Sequence, residues 1–154
     1  MLFRSRFARQ EFTARQRAYA AAMRADNVYT PQMVVNGRTA LVGSRNGELE
    51  AALRTAALLP GTKLVVTGGT VKAEAARTAD VWLVRYDPRV QQVAIKAGEN
   101  GGRTLPHRNI VTALILLGKA GSGALTLPAA VPGEKRVLLL QEAGAGAVID
   151  AVRL

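Results

Sequence analysis

From Thr62 to Leu154 the chain is built from short runs rich in valine, leucine and threonine, separated by glycine, proline and aspartate. Runs of this length and spacing predict an antiparallel sandwich or barrel. The candidate strands are 63–67, 70–75, 80–87 and 90–97, then 125–127, 136–142 and 147–153. Residues 105–117 read equally as a long strand or a short helix. Trp82, Val84 and Tyr86 share one face of their strand and Val81 and Leu83 the other, the pattern of a central strand covered on both sides. Leu138 and Leu140 oppose Val137 and Leu139 in the same way. Trp82 is expected in the core, because large aromatics dominate burial energetics.

The residues before Pro60 follow a different pattern. Thr13 followed three residues later by Gln16 forms a capping-box pattern, which predicts a helix from about Ala14 to Ala25, stopped by Asp26-Asn27. Tyr19 and Met23 fall on one face of it, and Arg15, Arg17 and Arg24 are expected to be solvated. Val28 to Gly43 reads as two short strands joined at Asn36-Gly37, the dipeptide that most readily takes the positive φ angles of a tight hairpin. Pro31 has no amide hydrogen for a ladder and belongs at a strand's start. A second helix, capped by Ser44 or Asn46, is expected to run to about Leu58, with Leu49, Ala52, Leu53 and Ala56 on one face and a Glu50–Arg54 pair on the other. Pro60-Gly61 closes it, which divides the chain at 1–60 and 61–154.

A length of 154 residues allows a sizeable core in one or two small domains, and 49% hydrophobic residues argue for a folded chain. The absence of cysteine excludes disulfides, thiol chemistry and thiolate-bound metal in this chain. His107 is the one imidazole, so a multi-histidine metal site is excluded and a carboxylate cation site is what remains; no cofactor is expected. A net charge of +10 favours anionic partners: nucleic acid, phospholipid headgroups or acidic polymers. Nucleic acid ranks low, because neither an RNP-like aromatic motif nor a lysine-rich tail accompanies the charge. MLFRSRFARQ lacks the apolar run of a secretion signal, and the apolar runs elsewhere are too short to span a bilayer. As written, the chain is expected in the cytoplasm.

One loop concentrates polar side chains: Glu99, Asn100, Arg103, His107 and Asn109 lie within GENGGRTLPHRN, among three glycines. Glu99 and His107 would make an acid/base pair if folded together. The alternative, favoured by the lack of a nucleophile motif nearby, is that Glu99 and Arg103 pin a long connection by hydrogen bonds. GENGGR also lacks the strand-to-helix setting of a phosphate loop.

Two stretches carry a family resemblance: FTARQRAYAAAMRADNVYTPQMVVNGRTALVGSRNGELEAAL at 12–53 and YDPRVQQVAIKAGENGGRTLPHRNIV at 86–111. Both resemble, in the expected order, a bacterial family known as domain of unknown function number 1223, whose members are similar to thioredoxins. The family usually carries a secretion signal and a Cys-x-x-Cys-type segment upstream. The resemblance implies an α+β fold: an incomplete thioredoxin-like segment (helix, β-hairpin, helix), then the antiparallel β-sandwich. It also implies that Tyr29, Thr30, Pro31 and Gln32 form the proline loop whose backbone pairs with an extended substrate segment; the alternative, favoured for a chain without cysteine, is that they are a purely structural entrance to the hairpin. With no cysteine, and with too little chain before the first helix for a dithiol-bearing strand and helix, the expectation is a member lacking its front and its redox activity. Its intact relatives would be periplasmic or secreted.

The alternative is a β-sandwich binding module for a protein or cell-envelope ligand. A basic nucleic-acid binder is a third, weaker reading. Because a lone two-stranded hairpin is marginal in water, the open edge of residues 28–43 is expected to seek a protein partner.

Overall fold

The computed structural model describes residues 9–24, 32–43, 46–56, 63–95 and 101–154. Helix α1 (Gln10–Ala22), the hairpin β1 (Gln32–Val35) and β2 (Thr39–Val42), and helix α2 (Asn46–Thr55) come first. Strands follow: β3 (Leu64–Thr67), β4 (Thr70–Ala73), β5 (Ala79–Asp87), β6 (Gln91–Ala94), β7 (Thr104–His107), β8 (Ile110–Lys119), β9 (Leu125–Thr126), β10 (Lys135–Glu142) and β11 (Val148–Arg153). The fold is α+β, mostly strand, with helix, hairpin and helix at the N-terminal end and antiparallel sheets after it. Residues 105–117 resolve into two strands, β7 and most of β8, broken at Asn109, whose φ of 55° turns the chain.

Two sheets share one core. A four-stranded sheet in the order β11-β10-β5-β8 faces a three-stranded one in the order β3-β4-β9. Val81 and Leu83 of β5 and Leu138 and Leu140 of β10 are fully buried against Leu64, Val71 and Ala73 of the smaller sheet. Each large apolar side chain so buried contributes about 1.5–3 kcal/mol. Asp150 of β11 ties the layers at their margin: its Oδ2 accepts the backbone amides of Lys63 at 2.8 Å and Leu64 at 3.0 Å, where β3 begins.

The Asn36-Gly37 turn forms as its residues require, with φ of 47° and 65°. Its tip lies against the β10–β11 connection. The amide of Val148 donates to Asn36 O at 2.9 Å, and a Cβ at residue 37 would fall on the carbonyl oxygen of Gly146. Among the described residues β1 and β2 pair only with each other.

Both helices differ from expectation at their ends. α1 begins at Gln10, behind an N-cap Arg9 that makes no side-chain cap, so Thr13 lies inside the helix and caps nothing. Its hydroxyl instead donates to Arg9 O at 3.3 Å, the bond a threonine makes to the preceding turn. α1 stops at Ala22, where Arg24 takes a φ of 51°; Asp26-Asn27 lie outside the described residues, as do Ser44 and Pro60-Gly61. α2 ends at Thr55, short of Leu58, and carries the expected Glu50–Arg54 pair at 3.7 Å. Among the described residues no helix is long and apolar enough to cross a membrane.

Candidate functional site

The outer face of the four-stranded sheet, turned away from the core, holds the chemistry. Cross-strand register lays it out in rows. At one end of β5, Asp80 lies between Lys119 and Gln141. Next come Leu116, Trp82 and Leu139, then Leu114, Val84 and Val137, and at the far end Val111, Tyr86 and Lys135. Arg153 joins from β11 opposite Val137. The face therefore grades from polar through apolar to basic along one strand.

α1 covers the first end. Arg15 was expected in solvent, yet it is half-buried, with Nη2 donating to Gln141 Oε1 at 2.6 Å and to Tyr19 Oη at 2.9 Å. Gln141, 1% exposed, completes its valence by donating from Nε2 to Tyr19 Oη at 3.1 Å and to Gly146 O at 2.8 Å. The Arg15 guanidinium also stands over the Trp82 ring at 5.3 Å, a cation–π geometry. Trp82 is thus no core residue: it is half-buried, outside the central cluster, on the wall of a cavity of about 380 Å³ between α1 and the sheet. Ala14 and Ala18 are too small to fill that space, and Leu114 forms its apolar floor beside Trp82.

A second, more polar cleft of about 490 Å³ opens at the other end. Tyr86, Arg108, Asn109, Lys135, Arg136 and Arg153 line it. None of the four cations has a carboxylate partner among the described residues, although other surface cations do. Arg108 is oriented by a backbone carbonyl, its Nε donating to Pro88 O at 3.3 Å, whereas Arg136, in register with Leu138 on the core face of β10, turns its Nη1 to Pro128 O beyond β9 at 2.8 Å. Each guanidinium has further N–H groups for another acceptor. Arg153 on the edge strand β11 is explained as a charge that discourages edge pairing, but Arg108 on the β7–β8 turn and Arg136 on β10 are not on that edge.

The turn presenting Pro88 O is held by Asp87. Its buried carboxylate accepts from Arg89 Nη2 at 2.7 Å, Nε at 2.9 Å and the Arg89 amide at 3.0 Å, and from Gln91 Nε2 at 2.9 Å. The Arg89 side-chain bonds, then its amide, lower the carboxyl pKa to about 2. Asp87 thus occupies Arg89, while Arg108 lines the cleft.

Of the residues singled out in the sequence, Tyr29, Thr30, Pro31, Glu99 and Asn100 lie outside the described residues. Gln32 opens β1 with a buried Nε2 that has no hydrogen-bond partner among the described residues. The β6–β7 hairpin separates the rest of the polar loop. Arg103 is exposed near the tip, its carbonyl accepting the Ile95 amide at 2.8 Å, whereas His107 pairs with Gln91 at the other end. His107 Nδ1 lies 3.1 Å from Leu105 O, a carbonyl that can only accept, so that bond places the proton on Nδ1. Of the described ones, Asn109 alone reaches the cleft. Among the described residues no group of three acidic or histidine side chains is placed to hold a metal ion. Lys135 and Arg153 carried no sequence signal beyond the net charge, because only strand register brings them to Arg108.

A family model described as "Protein of unknown function (DUF1223)" matches residues 3–141. A crystal structure of an Agrobacterium tumefaciens protein is similar, with 27% sequence identity and a TM-score of 0.66, over 97% of this chain and 72% of that one. No curated protein matches the chain.

Proposed function

We propose that this chain, which belongs to the DUF1223 family of proteins of unknown function, is a binding protein for anionic ligands that performs no dithiol–disulfide exchange. Exchange proceeds by attack of a thiolate on a disulfide sulfur, and the chain holds no cysteine to supply one. An insulin-reduction assay tests this half: turnover above the uncatalysed rate would refute it. The resemblance of the helix–hairpin–helix segment to thioredoxins supports a scaffold role for that part, with the hairpin edge as a contact surface. The family's habitual secretion signal supports a site of action outside the cytoplasm.

The observation that carries the binding half is the convergence of Arg108, Lys135 and Arg153, none with a carboxylate partner among the described residues, on one cleft. Like charges repel, so the cluster is unfavourable until an anion neutralises it. Arginine forks match the oxygens of a phosphate or sulfate in pairs, and Arg108 is already oriented by Pro88 O. A tetrahedral oxyanion carried on a small organic group is the ligand chemistry this favours.

Calorimetric titration with glycerol 1-phosphate at low ionic strength tests the reading. Saturable binding that weakens as salt rises is expected. The Arg108→Ala, Lys135→Ala double variant should weaken it at least about tenfold, since charge-assisted hydrogen bonds are each worth roughly 1.5–3 kcal/mol. No saturable heat, or an affinity unchanged in the variant, overturns the proposal.

A further inference from the structure

We infer that the ligand is an anionic amphiphile, its oxyanion head in the basic cleft and its apolar body laid along β5 toward the cavity beneath α1. This deepens the anion-binding reading and rests on it.

The two sites share one face of one strand. Tyr86 in the cleft and Trp82 at the cavity are four residues apart on β5, which at roughly 3.3 Å per residue is ~13 Å. The surface between them is apolar: Val84 lies between Leu114 and Val137, and Trp82 between Leu116 and Leu139. An antiparallel sheet with one face in the core ordinarily turns polar residues outward, and these rows do not. Part of this surface is uncovered, with Leu116 52% and Val111 38% exposed. α1 closes over only one end, where it lines the cavity with Glu11, Ala14, Arg15 and Ala18, and the two alanines leave space that larger side chains would have filled.

Charge decides the orientation. The basic end carries Arg108, Lys135 and Arg153, which have no carboxylate partner among the described residues. At the cavity end Arg15 is engaged by Gln141 and Tyr19, Asp80 by Lys119 at 3.7 Å and Glu11 by Arg9 at 3.7 Å. An anionic head is therefore drawn to Arg108 and Lys135, and an apolar tail is left to lie over Val84 and reach Trp82. A wholly polar anion would leave the apolar rows unused, and a wholly apolar ligand would leave the cations unpaired.

The experiment compares butyl phosphate, decyl phosphate and decyl glucoside, with affinity read by calorimetry and contact by the emission of Trp82, the chain's one tryptophan. Each methylene buried adds about threefold to fourfold in affinity. Decyl phosphate should therefore bind at least about tenfold tighter than butyl phosphate and shift Trp82 emission to shorter wavelength. Decyl glucoside should bind much more weakly than decyl phosphate. Ala18→Leu, which fills the cavity, should reduce the gain from the longer chain; Leu114→Asn should do the same should the first variant unfold. Arg54→Ala, a cation of α2, should change neither phosphate affinity. If butyl phosphate binds and the longer chain adds nothing, or Trp82 emission is unmoved, the amphiphile inference falls and the anion-binding function stands. If neither phosphate binds, both fall. Equal binding of decyl glucoside and decyl phosphate removes the anionic head.

Discussion

Arg15 and Gln141, 126 residues apart in the chain, meet through a hydrogen bond of 2.6 Å on the outer face of the central sheet. The bond anchors α1, whose four-residue stagger puts Arg15 and Tyr19 together, to a glutamine that is 1% exposed. Truncating the buried partner leaves a guanidinium, a tyrosine hydroxyl and the Gly146 carbonyl short of bonds at once. Gln141→Ala should therefore cost about 2–3 kcal/mol in urea denaturation, toward the upper end for a buried polar group that loses its partner. Tyr19→Phe should cost only about 1 kcal/mol, because Arg15 and Gln141 still bond each other. Equal losses in the two variants would show that the pair does not anchor the helix.

That contact also marks how far the residues alone could be read. The strands of the second half were legible, since their β-branched runs and intervening glycines specify local structure. So was the Asn36-Gly37 turn, where the conformation is a property of the dipeptide. Thr13 misled because its hydroxyl has two uses, cap and back-bond, and only the preceding residues decide between them. Trp82 was placed in the core because periodicity tells which residues share a face but not which face is inside; Val81 and Leu83 won the core. Gln141 is a polar residue in an apolar strand, and nothing nearby in the sequence names Arg15 as its partner. The basic cleft was illegible for the same reason: Arg108, Lys135 and Arg153 become neighbours only through sheet order.

Gly37 is constrained twice. Its φ of 65° disfavours any side chain, and a Cβ there would meet the Gly146 carbonyl oxygen. Gly68 has a similar φ of 53° but open space around the Cβ position. Gly68→Ala should therefore cost about 1 kcal/mol, the conformational term alone, and Gly37→Ala at least about 2 kcal/mol. Thermal or urea denaturation of the two variants separates conformational strain from close approach. Similar losses would mean that the hairpin tip does not press on the β10–β11 connection.

Asp87 makes stability sensitive to acid in a defined window. Its folded pKa is lowered to about 2, chiefly by the side-chain bonds from Arg89, whereas an unfolded aspartate titrates near ~3.9. The folded state thus binds this proton less readily than the unfolded state does. The contribution is fully present above the unfolded value and is lost as pH falls through about 2. Asp87→Asn should be less stable than the parent at neutral pH, and the difference should shrink as the pH drops through that window. Carboxyl carbon NMR of Asp87 should show a midpoint near 2. A midpoint near ~4 would mean that the Arg89 fork does not hold in solution.

Asp150 should govern the order of β3 without being part of any ligand site. Its Oδ2 accepts two successive amides, Lys63 at 2.8 Å and Leu64 at 3.0 Å, and its Oδ1 accepts the Ala151 amide at 2.8 Å. Leu64 is 2% exposed, so an amide orphaned there by Asp150→Ala has little access to water and loses a charge-assisted bond. The expected cost is about 1–3 kcal/mol, with amide exchange at Lys63 and Leu64 accelerated more than at Val81 or Leu83 in the central strand. Asp150→Asn keeps one carbonyl acceptor and should recover part of the loss. Because the residue lies away from the basic cleft, both variants should bind glycerol 1-phosphate as the parent does. Exchange that rises evenly over β3 and β5 would instead assign Asp150 to the stability of the whole fold.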